Sequence, residues 1–177
     1  RSISSFCTSM TATCGVGSGA AQLVNGYNVE HQRLEEELAT FTGRDRALLF
    51  SSGYLANLGV ISALMSRQHR HDVVLEDRLN HASLIDGARL SQAKLVRYTH
   101  NDASALQERL QTFHDRACLV VTDGVFSMDG DIADLPALST VARSMNATLM
   151  VDDAHGIGVL GTHGRGSPEL MQLSQAD

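Results

Sequence analysis

The 177-residue chain carries 20 acidic against 14 basic residues, a formal net charge of −6 at pH 7. Its 43% hydrophobic and 19% charged content is that of one globular domain with a sizeable core. No Lys/Arg-rich run is present, which argues against nucleic acid or an anionic membrane as partner, and no apolar stretch approaches the ~20 residues of a membrane span. The three cysteines, Cys7, Cys14 and Cys118, are odd in number and lack zinc-finger spacing. They suit a reducing, cytoplasmic compartment better than a disulfide framework. The first residue is Arg1 rather than Met, so the true start is expected upstream. Thirteen of the fourteen basic residues are Arg, and Lys94 is the only lysine.

Residues 1–28 are small and polar, with glycines at 15, 17, 19 and 26. No strand precedes the Gly-x-Gly-x-Gly run, so it reads as a permissive loop rather than a dinucleotide fingerprint. Asn28 to Thr42 reads as a helix, because Leu34, Leu38 and Phe41 share one face. Glu35, Glu36 and Glu37 are its expected solvated face, and Gly43 its stop. A regular alternation follows. Strands are expected at 47–50, 73–75, 94–98, 118–122 and 148–151. Helices are expected at 53–66, 82–90, 103–113 and 135–145. In the first of these helices Leu58, Ile61, Leu64 and Met65 share a face. Asp102 and Asp134 stand as N-caps, and Pro136 lies in a first turn. This alternation predicts βαβ units, hence an α/β fold with a mainly parallel sheet and flanking helices.

Four loops follow strands and carry unusual chemistry: Ser51-Ser52-Gly53-Tyr54, Glu76 to His81, Asp123 to Gly130, and Asp152-Asp153-Ala154-His155-Gly156. Parallel strands place all four on one edge of the sheet, where ligands of open α/β sheets bind. Ser51 to Tyr54 opens a helix and is either an anion site or a plain Ser cap. Asp152 can hold a negative charge against a protonated ring nitrogen, the carboxylate partner that pyridoxal phosphate (PLP) requires. His81 offers a flat ring for stacking. His155 and Ser127 offer hydrogen-bond donors to a ring oxygen. Two alternatives remain at this level. A metal could be held by His81, His155 and Asp152, or by His69 with His71. A Ser/His/Asp hydrolase is the other, although no Gly-x-Ser-x-Gly elbow follows a strand.

Five ordered motifs resemble the α-oxoamine synthases, PLP enzymes of the aspartate aminotransferase fold. They are Leu-Val-Asn-Gly-Tyr-Asn-Val-Glu-His (23–31), Leu-Phe-Ser-Ser-Gly-Tyr-Leu-Ala-Asn (49–57), Asn-His-Ala-Ser-Leu-Ile-Asp-Gly (80–87), Thr-Asp-Gly-Val-Phe-Ser-Met-Asp-Gly-Asp (122–131) and Val-Asp-Asp-Ala-His-Gly-Ile-Gly-Val-Leu-Gly (151–161). The resemblance implies that Gly53 and Tyr54 bind the cofactor phosphate or its surroundings. It implies that His81 stacks on the pyridine ring, that Ser127 and His155 bond the ring oxygen, and that Asp152 pairs with the pyridinium nitrogen. His81, Asp152 and His155 are then the catalytic candidates, with no metal. Asp123 stands where some members have Glu, and Asn25 and Gly26 would border the substrate entrance.

The Gly15 to Gly19 opening and the His-Gly-x-Gly-Val-Leu-Gly-x-x-Gly-Arg-Gly-Ser run (155–167) favour the biotin-pathway branch of the family. That branch condenses L-alanine with a pimeloyl thioester, pimeloyl-CoA or pimeloyl carrier protein, and releases CO2. Glycine C-acetyltransferase-like chemistry is the sibling alternative. A non-catalytic PLP- or phosphate-binding module is the alternative from another class. The family works as a homodimer. Its Schiff-base lysine lies in a Lys-Gly context beyond the Asp-Asp-Ala-His-Gly motif, and Lys94 matches no such context. Residues 1–177 are therefore expected to be an incomplete large domain, lacking the lysine segment and the C-terminal domain and inactive alone.

Overall fold

The computed structural model describes residues 3–65 and 72–173. The chain divides into two compact units, Arg1–Leu49 and Phe50–Asp177.

In the first unit, α1 (Ile3–Cys14) lies in the small, polar stretch for which no element is expected. Its residues include no Gly or Pro until Gly15, whose φ of +75° ends the helix. A single π-type turn covers Gln22–Gly26. Helix α2 (Val29–Thr42) has the expected bounds. Asn28 and His31 form a reciprocal cap at its start, and Gly43 closes it in the left-handed region at φ 69°. Glu35 departs from its expected solvated role. It accepts from Tyr27 Oη at 2.6 Å and from Leu49 N at 2.9 Å, and so holds both flanking segments. Leu34 and Phe41 remain 46% and 38% exposed. A helical stripe records which side chains share a face; it does not supply an element opposite that face.

The second unit is a four-stranded, all-parallel sheet in the order β2-β1-β3-β4. Its elements in chain order are α3 (Gly53–Leu64), β1 (Val73–Asp77), α4 (Ala82–Ser91), β2 (Lys94–Tyr98), α5 (Ala103–Thr112), β3 (Cys118–Asp123), α6 (Leu135–Ser144), β4 (Thr148–Asp152) and α7 (Ser167–Leu170). Asp102 and Asp134 cap α5 and α6 as expected. Strands β1 and β3 are buried at every position, because helices cover both faces. Alternate residues feed two cores. Val73, Leu75 and Val120 pack with Leu106 and Leu110 of α5 and Leu135 and Leu138 of α6. Val74, Leu119 and Val121 pack with Ile61 and Met65 and with Leu84 and Ala88 of α4.

Three expectations change. Residues 47–50 join no ladder, because β1, β3 and β4 pair only with one another and with β2. Ile61 and Met65 are buried as expected, but Leu64 is 51% exposed and Asn57 is buried beside them. Glu76 and Asp77 belong to β1 rather than to the loop after it. Glu76 is fully buried with neither carboxyl oxygen hydrogen-bonded. Burial pushes its pKa up to about 7, against the pull of Arg97.

Helices α3 and α4 cross at Gly87. A Cβ there would stand 2.8 Å from Ile61 Cδ1 and 3.1 Å from the Asn57 carbonyl oxygen. Gly87→Val is therefore expected to destabilise the fold by about 1–3 kcal/mol through overpacking. A chemical-denaturation midpoint equal to the parent's would refute this close packing.

Candidate active site

Because the strands are parallel and in register, β1, β3 and β4 end together. Asp77, Asp123 and Asp152 are their last residues, and Asp123 stands directly beside Asp152. A cleft of about 320 Å³ opens at this edge. It is lined by Gly53 and Tyr54 of α3, His81 before α4, Asp123 at the end of β3 and Ser127 after it, and Asp152 at the end of β4 and His155 after it. The structure thus brings together all six residues singled out for the cofactor, and all four loops contribute.

Each side chain has a local cause for its position. Ser52 caps α3 through its hydroxyl to Leu55 N, while its carbonyl accepts from Ala56 N. The earlier N–H groups, on Gly53 and Tyr54, have no intrahelical acceptor. A Cβ at Gly53 would meet nothing within 4 Å, so the backbone there is open to an approaching group. Ser52 is thus a cap, and the same helix start presents donors to an anion; the two sequence readings coexist. Tyr54 donates its phenol hydrogen to Asp86 Oδ2 at 2.9 Å, which raises the phenol pKa.

His81 is the N-cap of α4, its Nδ1 accepting from Ser83 N. Its own backbone N–H donates to Asp123 Oδ2 at 2.9 Å. Asn80, buried just before it, donates to the Val121 carbonyl at 2.8 Å and accepts from Asp123 N at 3.1 Å. The His81 loop is thereby stitched to the end of β3. Asp152 accepts from Asn57 Nδ2 at 2.7 Å and from Ala154 N at 3.1 Å.

Ser127 stands on a tight turn closed by Phe126 N to Asp131 O and by Gly130 N to Phe126 O. His100 anchors that turn, with Nδ1 2.9 Å from Asp77 and Nε2 2.8 Å from Asp131. Burial opposes a charge on His100, but the two carboxylates outweigh it and raise its pKa. Asp153 turns away from its neighbour and accepts from the Ser167 hydroxyl and backbone N–H. A Cβ at Gly124, Gly156 or Gly166 would collide with the Asp153 carboxylate, so three glycines make its berth.

Sequence reasoning missed Asn57, Ser83, Asn80, His100 and Asp153 as supports. Asn57 sits inside an apolar helix pattern, and that interruption was the available signal. Lys94 starts β2, at the opposite end of the strands, with Nζ 4.7 Å from the centre of the Phe113 ring. Asn25 and Gly26 lie in the Gln22–Gly26 turn of the first unit. His69 and His71 lie outside the described residues. Among the described residues, no group of three or more His, Cys, Asp or Glu could hold a metal ion.

A doubly covered parallel sheet, with an open helix start and a strand-end aspartate at its carboxyl edge, defines an α/β domain of the aspartate aminotransferase type. Residues 17–176 match the family of class I and II aminotransferases, and the chain belongs to that family. It is 63% identical over 159 residues to 8-amino-7-oxononanoate synthase of Methylococcus capsulatus, covering 90% of this chain and 40% of that protein. Serine palmitoyltransferase from S. paucimobilis, solved with a bound PLP–myriocin adduct, superposes with a TM-score of 0.88 at 37% identity, covering 96% of this chain and 42% of that one. The 8-amino-7-oxononanoate synthase of Francisella tularensis gives 0.77 at 38% identity, covering 94% and 44%. The chain thus spans about 40% of the length of the curated relatives it matches.

Burial pushes the pKa of Asp123 up to about 6 from an ordinary 3.8, with the nearby Asp152 charge adding to the rise. Between those values the folded protein holds a proton that the unfolded chain has released. The contribution of Asp123 to stability is therefore full below pH 3.8 and is lost as pH rises through about 6. Relative to Asp123→Asn, the parent is expected to lose stability across this window, without added ligand. Glu76 titrates in both proteins and cancels. Denaturation midpoints whose difference stays flat with pH would refute the assignment.

Proposed function

We propose that the parent protein is a PLP-dependent, decarboxylating C-acyltransferase. It condenses L-alanine with a pimeloyl thioester, pimeloyl-CoA or pimeloyl carrier protein, to give 8-amino-7-oxononanoate. The observation that carries this reading is the convergence of an open helix start, a strand-end carboxylate, two imidazoles and a hydroxyl in one cleft. The identity to synthases of that name supports the choice of substrates. Residues 1–177 are on this reading part of the large PLP-binding domain, and the family's Schiff-base lysine belongs to the remainder. The working form is a cytoplasmic homodimer; among the described residues no helix is long and apolar enough to cross a membrane.

The residues present fit the cofactor. The N–H groups of Gly53 and Tyr54, at the positive end of α3, suit its phosphate. Asp152 suits a pyridinium nitrogen, and Ser127 and His155 suit the ring oxygen. His81 supplies a flat face. When bound, PLP would supply an electron sink for negative charge developing at the alanine α-carbon. The chain's own task is to hold the ring and its charge. Asp152 would offer a ring nitrogen a fixed negative charge that favours its protonated form. Asn57 and Ala154 N hold that carboxylate in place, so it does not reorganise when charge develops. His81 lines the same cleft and would help orient the reacting group.

Asp152→Ala in the full-length enzyme is expected to lower kcat at least about 10²- to 10³-fold, the usual loss when a preorganised electrostatic partner is removed. The check is CO2 and thiol release from L-alanine and pimeloyl-CoA; near-normal turnover would sink the assignment. Faster turnover with glycine and acetyl-CoA would move the protein to the sibling activity. The alternative reading is a module that binds PLP or phosphate without chemistry. Borohydride reduction of the PLP-loaded full-length protein separates the two, because only the enzyme yields a covalent lysine adduct.

A further inference from the structure

Two polar side chains deep in the wall of the cleft, Asn57 on α3 and Ser83 on α4, are 7% and 1% exposed. Asn57 Nδ2 lies 2.7 Å from Asp152 Oδ2 and 2.8 Å from Ser83 Oγ. Ser83 Oγ in turn lies 2.7 Å from His81 Nδ1. The donor direction along this chain is set from both ends. A carboxylate accepts, so the Asn57 atom facing Asp152 is the amide NH2. One amide hydrogen goes to Asp152 and the other to Ser83 Oγ. The Ser83 hydroxyl, having accepted, directs its own hydrogen to His81 Nδ1. At the far end, the backbone N–H of Ser83 can only donate, and it lies 3.3 Å from the same Nδ1. Nδ1 is thus an acceptor from two donors, and the neutral ring carries its hydrogen on Nε2.

His81 is exposed, so packing alone does not fix its ring. We propose that Asn57 and Ser83 are positioning residues, a relay that ties the carboxylate of Asp152 to the imidazole of His81 and holds His81 as its Nε2–H tautomer. The relay makes His81 a hydrogen-bond donor toward the cleft and sets the two cofactor-facing groups as one unit. Its meaning for catalysis rests on the function proposed above; its geometry does not. The close crossing of α3 and α4 at Gly87, against the Asn57 carbonyl, sets the spacing the relay needs.

The test uses the full-length protein labelled with ¹⁵N-histidine, first without added PLP and at a pH where the ring is neutral. Multiple-bond ¹H–¹⁵N spectra read the tautomer, and His81→Gln assigns the signal. The expected pattern is a protonated Nε2 and a bare Nδ1. Ser83→Ala and Asn57→Leu are expected to give a mixture of tautomers, and Ser83→Thr, which keeps the hydroxyl, to restore the parent pattern. In the PLP-loaded enzyme each disruptive variant should lose roughly 3- to 10-fold in kcat/KM, as for one buried hydrogen bond. The double variant should lose no more than the worse single, since either break cuts the same relay. A protonated Nδ1 in the parent, an unmoved pattern in both variants, or additive losses would each overturn the proposal. The parent spectrum decides it even if a variant fails to fold. An enzyme without decarboxylating activity would remove the proposed function and leave the tautomer measurement standing.

Discussion

Parallel strands in register must end on the same edge, and the chemistry of this protein depends on that constraint. Three of the four strands end in aspartate, at Asp77, Asp123 and Asp152. Helices cover both faces, so these carboxylates meet a partly dry environment where an uncompensated charge is costly. Each is compensated differently. Asp77 accepts from His100 and from the N–H groups of Leu79 and Asn101. Asp152 accepts from Asn57 and Ala154. Asp123 accepts from His81 N, and burial still pushes its pKa up.

The cleft separates exposed side chains that line it from buried side chains that hold them. His81, Ser127 and His155 are exposed, as groups that touch a ligand must be. Asn57, Asn80, Ser83 and Asp123 are buried, and their hydrogen bonds run between elements far apart in sequence. The exposed groups therefore sit on loops whose backbones have little freedom. Asp153 shows the same logic: three glycines clear the space for its carboxylate, and Ser167 fastens it. Its neighbour Asp152 is left facing the cleft.

Much of the second unit was legible because its signals are local. Asp102 and Asp134 cap helices whose first turns they face, and apolar runs of strand length sit between them. The six candidate site residues were legible because four loops after strands share an edge in any parallel sheet, and because the motifs resemble a known family. Where reading failed, the missing information was not local. Residues 47–50 have strand composition but no partner in the ladder, and pairing makes a strand. The helix at Ile3–Cys14 was hidden by polar composition, which lowers periodicity without forbidding the helix. Glu35 looked solvated among three glutamates, yet only it faces Tyr27 and the Leu49 amide.

The sequence by itself determined the alternation of helices and strands from α3 to β4, the capping residues, the chemical types available at the carboxyl edge and the family. Those follow from periodicity, from side-chain donor and acceptor chemistry and from motif order, all carried by neighbouring residues. The tertiary structure alone decided that Asn57 reaches Asp152 across 95 positions, that Asn80 closes the end of β3, and that His100 ties the end of β1 to the turn after β3. Such contacts depend on helix crossing and strand order, which no local pattern encodes. The groups that line the cleft were thus readable in one dimension, and the groups that hold them in place existed only in three.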